Sequence, residues 1–162
     1  MKNLIYLVSL LLILSCNSNT DKAIIYNNTL LKEQQKIGLE IKSYLDIVKD
    51  TVASENQILL KEKLLSNIKT SLTVIDKLKD FDGNTDFKES VKAVLNEYYK
   101  GINTEYDAIV KYNKLPHSEK TPEKKWQAEQ HAIHADEIIT KAEDHFILMQ
   151  KEFAEKHNIK LD

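Results

Sequence analysis

From residue 21 onward, apolar side chains return every three or four positions through four successive stretches. That recurrence puts them on one face of an α-helix, whereas a half-buried strand would need alternation. With three Gly and two Pro in the whole chain, there are too few turn formers for a many-stranded sheet. The first stretch, 21–54, carries Leu30, Ile37, Ile41, Tyr44, Val48 and Val52, with Leu31 and Leu45 beside them. The second carries Ile58, Leu65, Ile68, Leu72, Ile75 and Leu78, leaves Lys61, Lys63, Lys69 and Lys77 for water, and has Ser54 or Asn56 as its cap. No Gly or Pro marks the link between these two. The clearest break is Phe81-Asp82-Gly83-Asn84-Thr85, where Gly83 and Asn84 tolerate positive φ and Thr85 or Asp86 caps the next helix.

A third helix takes Phe87, Val91, Val94, Leu95, Tyr98, Ile102, Tyr106, Ile109 and Tyr112 as its stripe. The polar segment 116–122 ends it, and Thr121-Pro122-Glu123 reads as an N-cap, Pro at N1 and an acidic first turn. The fourth helix carries Ala128, Ala132, Ala135, Ile139, Ala142, Phe146, Met149 and Phe153, small residues first and large ones later. Four long helices with short links bury their stripes only against one another. The expected fold is therefore all-α, an antiparallel up-down-up-down four-helix bundle, a rod roughly 40 to 50 Å long. A chain of 162 residues supports one such core, expected over 23–162.

The amino terminus obeys different rules. Lys2 precedes the apolar run 4–14, whose length suits a secretory signal and covers only about 17 Å as a helix, well short of a hydrocarbon core of about 30 Å. Cys16 comes directly after it and is the only cysteine, so no disulfide framework within the chain can use it. Ile13-Leu14-Ser15-Cys16 resembles the lipobox of bacterial lipoproteins. That resemblance implies a diacylglyceryl group on Cys16, cleavage between Ser15 and Cys16 that removes 1–15, and 16–22 as a lipidated Cys with a polar tether. Asn17, in place of the Asp that retains such proteins in the inner membrane, implies the outer membrane. Two or three acyl chains, at about 0.8 kcal/mol per buried CH₂, make such an anchor durable.

Charge and motifs exclude more than they assign. Net charge is −2 with the two signs interleaved, so no basic stripe exists for nucleic acid. Every basic residue is Lys, so bidentate guanidinium capture of carboxylate or phosphate is not open to this chain. No P-loop, Gly-x-Ser-x-Gly or His-Glu-x-x-His occurs, and no Glu stands three residues before any histidine as a di-iron bundle requires. The carboxylates alternate with Lys at helical spacing and read as solvated ion pairs. Among five histidines only His131, His134 and His145 share a helix away from its ends, flanking the alanine seam, with Glu137 and Asp144 near in sequence. They are the candidate metal ligands, set against the plainer role of half-buried histidines bonded to neighbouring helices.

The remainder of the chain resembles a group of uncharacterised, small, all-helical bacterial envelope lipoproteins through Tyr26-Asn27, Phe87-Lys88-Glu89, Tyr98-Tyr99 and Phe153-Ala154-Glu155-Lys156. The resemblance implies fold and location, and no activity. The expectation is a membrane-anchored, non-catalytic interaction module without a cofactor, which contacts another envelope protein through its surface or through the 116–122 loop. The alternatives are a metal-binding bundle using His131, His134 and His145, and a carrier of a small apolar ligand beside the alanine seam.

Overall fold

A computed structural model describes residues 2–49 and 55–161, with side chains over 19–48 and 57–161. Five α-helices make four rods: α1 (Lys2–Lys49), α2 (Glu55–Asp76), α3 (Asp86–Lys100) continued through the π-helical segment Gly101–Glu105 into α4 (Tyr106–Asn113), and α5 (Pro122–Lys156). Among the described residues there is no strand, only one isolated bridge between Phe81 and Asn84. No helix among them is long and apolar enough to cross a membrane.

Side-chain contacts fix the directions of the rods. Between α1 and α2, Asn67 reaches Glu40 and Ser71 reaches Glu33, so position falls on one helix as it rises on the other and the pair is antiparallel. Lys61 with Asp107 and Lys92 with Asp76 give the same sense for α2 against α3–α4, and Tyr106 with Asp136 and Tyr98 with Glu143 give it for α3–α4 against α5. Gln34 to Tyr98 and Asn113 to Val48 hold a near-constant offset, so α1 and α3–α4 run parallel. This is the up-down-up-down bundle that the periodicity predicts.

The core tracks the stripes of the first, third and fourth rods. Leu30, Ile37, Ile41, Tyr44 and Val48 are buried on α1, and Phe87, Val91, Val94, Leu95, Tyr98, Ile102 and Tyr106 along α3–α4. On α5, Ala128, Ala135, Phe146 and Phe153 are buried, with Ile139, Ala142 and Met149 partly so. Val52 lies outside the described residues.

The second stripe needs correction. Ile58 is 48% exposed, and Leu65 and Leu72 are only partly buried, while Leu64, Ile68, Ser71, Ile75 and Gln57 face inward. The helix is rotated so that two polar groups enter the core already paired. Ser71 donates to Glu33 at 2.6 Å, and Gln57 donates to the Ile47 carbonyl at 3.1 Å. A buried polar group is tolerated when its hydrogen bond is made.

The π segment explains a second shift. It adds one residue to the third rod, so the next inward positions are Tyr106 and Val110, while Ile109 and Tyr112 turn partly outward. At 100° per residue an unbroken helix would carry Val110 about 120° away from Tyr98. The bulge restores the stripe.

Ends and turns are set locally. At the break after α2, positive φ falls on Asp82 (54°) and Gly83 (70°), one position earlier than expected, and the Asn84 amide donates to the Phe81 carbonyl at 3.0 Å. Thr85 occupies the cap position of α3 without a side-chain cap bond; the Asn84 side chain accepts from the Asp86 amide instead. Thr121 caps α5 as its sequence predicts, accepting from the Lys124 amide at 3.3 Å with Pro122 in the first turn. At the far end Asn158 takes φ 55° and the Ile159 amide donates to the Ala154 carbonyl at 2.8 Å, a Schellman turn that reverses the chain. Residues 16–22, expected as a polar tether, continue the backbone of α1 up to Ala23, the first fully buried residue among the side chains described. No Pro and no Gly precedes Gly38, and each residue added to an existing helix adds a hydrogen bond at little cost.

Candidate functional site

Ser15 and Cys16 fall among residues whose side chains lie outside the described ones; only their place in the backbone of α1 is given. The three candidate histidines on α5 do not come together. His131 and His134 share a face, with side chains 48% and 60% exposed. His145 is exposed eleven residues beyond His134, about 16 Å along the helix axis. Among the described residues no group of three or more His, Cys, Asp or Glu side chains is arranged to hold a metal ion.

What His131 and His134 do meet is Glu105, the last residue of the π segment. One carboxylate oxygen accepts from His131 Nδ1 at 2.6 Å and the other lies 3.2 Å from His134 Nδ1. A carboxylate only accepts, so both imidazoles present Nδ1–H to it and leave Nε2 outward. The hydrogen bond from His131 holds the Glu105 carboxyl below its ordinary value near 4.5, burial opposes this, and His134 adds to the lowering. A neighbouring hollow of about 480 Å³ includes Trp126, itself 59% exposed. Glu105 is invisible to a search for ligand spacing within α5, because it comes from the third rod, where an unbroken helix would set it about 20° from Tyr98 in the buried stripe. The signal that points there is a lone Gly101 inside a helical pattern.

The arrangement is a clasp between the third rod and α5. Glu105→Gln is expected to lower the unfolding free energy at neutral pH by about 1 kcal/mol, the scale of a charge-assisted but half-solvated contact. Asp107 is likewise held below its ordinary value near 3.8, by the Lys61 hydrogen bond first, against burial, with Lys111 contributing. Both carboxyls therefore take up protons more readily in the unfolded chain. Stability is complete above the ordinary carboxylate range and is lost as pH falls through it to the lowered folded values. Urea titrations from pH 7 to pH 3 should show this acid limb, shallower in Glu105→Gln.

A larger cleft lies elsewhere. α1 packs on α2 and α3, and α5 packs on α3 and α4, but α1 and α5 make few contacts with each other. Between them is a cleft of about 970 Å³, lined also by the tail that follows the Schellman turn. Its polar lining is six carboxamides: Asn27, Asn28, Gln34 and Gln35 from α1, Gln150 from α5, and Asn158 from the tail. Gln150 Nε2 spans the floor to Asn27 Oδ1 at 3.4 Å. Ile24, Leu31, Ile147 and Leu161 supply aliphatic surface, and Lys151 and Lys160 are the charged residues that line it.

Beside the alanine seam, the site expected for a small apolar ligand, helices approach closely instead. Ala135 is fully buried, and Gly101 comes so near α5 that a Cβ there would stand 3.4 Å from the Ile139 side chain. A smaller hollow of about 270 Å³ beside Ala128 is lined by Ala108, Tyr112 and Leu115 together with Lys111, Lys124, Gln127 and His131.

No protein-family model, no curated protein and no solved structure matches the chain.

Proposed function

We propose that this chain is a lipid-anchored protein of the bacterial cell envelope, held through Cys16, probing a neighbouring envelope protein with its bundle rather than catalysing a reaction. The anchor rests on the order of Lys2, the apolar run, Ser15 and the single Cys16, and Asn17 points to the outer membrane by the same resemblance. The observation that carries the binding role is the α1–α5 cleft. A bundle whose stripes closed fully on one another would leave no such gap, and this one is lined by carboxamides that can both donate and accept. α1 forms one wall of the cleft and also bears Cys16, seven residues before Ala23. The anchor and the binding face therefore belong to one helix.

Metabolic labelling with a palmitate analogue, combined with membrane fractionation, tests the anchor. The wild-type chain should carry the label, sediment with membranes and begin at Cys16 by mass spectrometry. Cys16→Ser should lose the label and leave a chain that is uncleaved at Ser15. An unlabelled wild-type protein with its first residues intact would overturn the proposal.

A further inference from the structure

We infer that the α1–α5 cleft receives an extended polypeptide segment bearing aliphatic and acidic side chains, its backbone amides paired with the carboxamides of the walls. This deepens the binding role proposed above and does not depend on the lipid anchor. A carboxamide offers an N–H donor and a C=O acceptor, the same pair as a peptide group, so it satisfies a backbone in both senses at once. A segment whose backbone is unpaired needs that. A partner helix has already made its own hydrogen bonds and would call for apolar walls.

The engaged atoms leave the required ones free. Gln34 gives Nε2 to the Tyr98 hydroxyl at 3.3 Å and Gln150 gives Nε2 to Asn27, so each keeps an oxygen to accept from a peptide N–H. Asn28 accepts from Asn27 and keeps its own N–H groups for a peptide carbonyl. Asn28 and Gln35 are two turns apart on the exposed rim of α1, about 10.5 Å. Three residues of extended chain cover about 10 Å, so both can reach one strand.

The rest of the lining selects side chains. Lys151 and Lys160 are its charges, and both are exposed, which favours acidic residues and opposes basic ones. The exposed apolar surface is aliphatic, with Ile147 43% and Leu161 42% exposed, while the single aromatic lining residue, Phe146, is 6% exposed. An oligosaccharide would want an open aromatic face to stack on. An extended peptide wants aliphatic side chains to meet its own.

Fluorescence anisotropy on the purified full chain in detergent provides the test. The probes are dye-labelled heptapeptides, blocked at both ends, that alternate leucine with aspartate, together with the same peptides carrying lysine for aspartate or N-methyl groups at alternate amides. The aspartate peptides should bind saturably. Lysine or N-methyl replacement should weaken binding about tenfold or more, the scale of losing one or two hydrogen bonds or reversing a charge contact. Lys151→Glu should invert the preference between aspartate and lysine peptides, and Asn28→Ala with Gln35→Ala should weaken both, while helix content by circular dichroism stays unchanged. Absence of saturation, indifference to N-methylation, or tighter binding of an N-acetylglucosamine trimer would overturn the inference. A failure here leaves the lipid labelling of Cys16 untouched, and an unlipidated chain can still bind the peptides, so the two proposals fail separately.

Discussion

Phe153→Ala should cost about 3–5 kcal/mol of unfolding free energy, the range for truncating a buried aromatic residue. Phe153 is 4% exposed, and its ring lies 5.6 Å from Tyr26, 5.7 Å from Phe81, 5.1 Å from Phe87 and 4.6 Å from His157 between centroids. It therefore ties α1, the turn after α2, the start of α3 and the end of α5 at one end of the rod. Each aromatic pair adds about 0.5–1.5 kcal/mol beyond the area it buries, and one truncation removes several. Tyr26, whose hydroxyl is pushed up to about 12 chiefly by burial, borders the void that the truncation leaves. Urea unfolding should show the loss as a fall in midpoint with little change in slope. Leu148→Ala, five residues earlier on the same helix and 51% exposed, should stay within about 0.5 kcal/mol of the parent.

The second large effect distinguishes an inserted residue from a required one. Deleting Thr104 should let the Gly101–Glu105 segment close into regular α-helix while Tyr98 and Ile102 before it, and Tyr106 and Val110 after it, keep their places in the core. The Thr104 hydroxyl donates to the Lys100 carbonyl at 2.7 Å, a bond that the tighter backbone ladder replaces. The variant should unfold cooperatively, within about 1 kcal/mol of the parent, on the scale of one hydrogen bond. Deleting exposed Lys141 removes one residue as well, but α5 has no bulge to absorb it. Every later residue then rotates by about 100°, taking Phe146 and Phe153 out of the core together, so the loss should exceed that of Phe153→Ala and abolish cooperative unfolding. Equal behaviour of the two deletions would contradict the reading of 101–105 as an added residue.

Legibility varies with how many solutions a segment allows. α1 has one continuous stripe, and α5 has one seam behind a Thr-Pro cap, so periodicity alone locates their buried faces. α2 is apolar on more than one side, with Ile58, Leu59, Leu60, Leu64, Leu65, Leu72, Val74 and Ile75 spread around it. Its rotation is decided by Ser71 and Gln57 finding Glu33 and the Ile47 carbonyl, and no hydrophobic count contains those pairs. Phe87, Lys88, Tyr26, Asn27, Phe153 and Ala154, short and scattered as motifs, are all buried, and Lys88 is bonded to the Leu78 carbonyl and to Asp80. His131 and His134 are visible in the sequence as a pair, but their partner is not, because Glu105 comes from another rod, 26 residues before His131. The cleft is hidden more deeply still. Its walls are separated by more than 100 residues along the chain, and it exists because two rods fail to close, which is a property of the assembly and of no segment within it.

That gap also shapes the order in which the chain can assemble. The first and last helices are the pair whose meeting demands the longest loop, from Tyr26 to Phe153, a separation of 127 residues, and away from that aromatic end the bundle asks little of it. Its obligatory encounters are hairpins between consecutive rods and the parallel pairing marked by Gln34 and Tyr98, 64 residues apart. Chain entropy penalises the longer closure by only about 0.6 kcal/mol relative to the shorter. The larger saving is kinetic: local helical hairpins can form early, around a central third rod that touches all the others, and the two termini can arrive last without holding up the core.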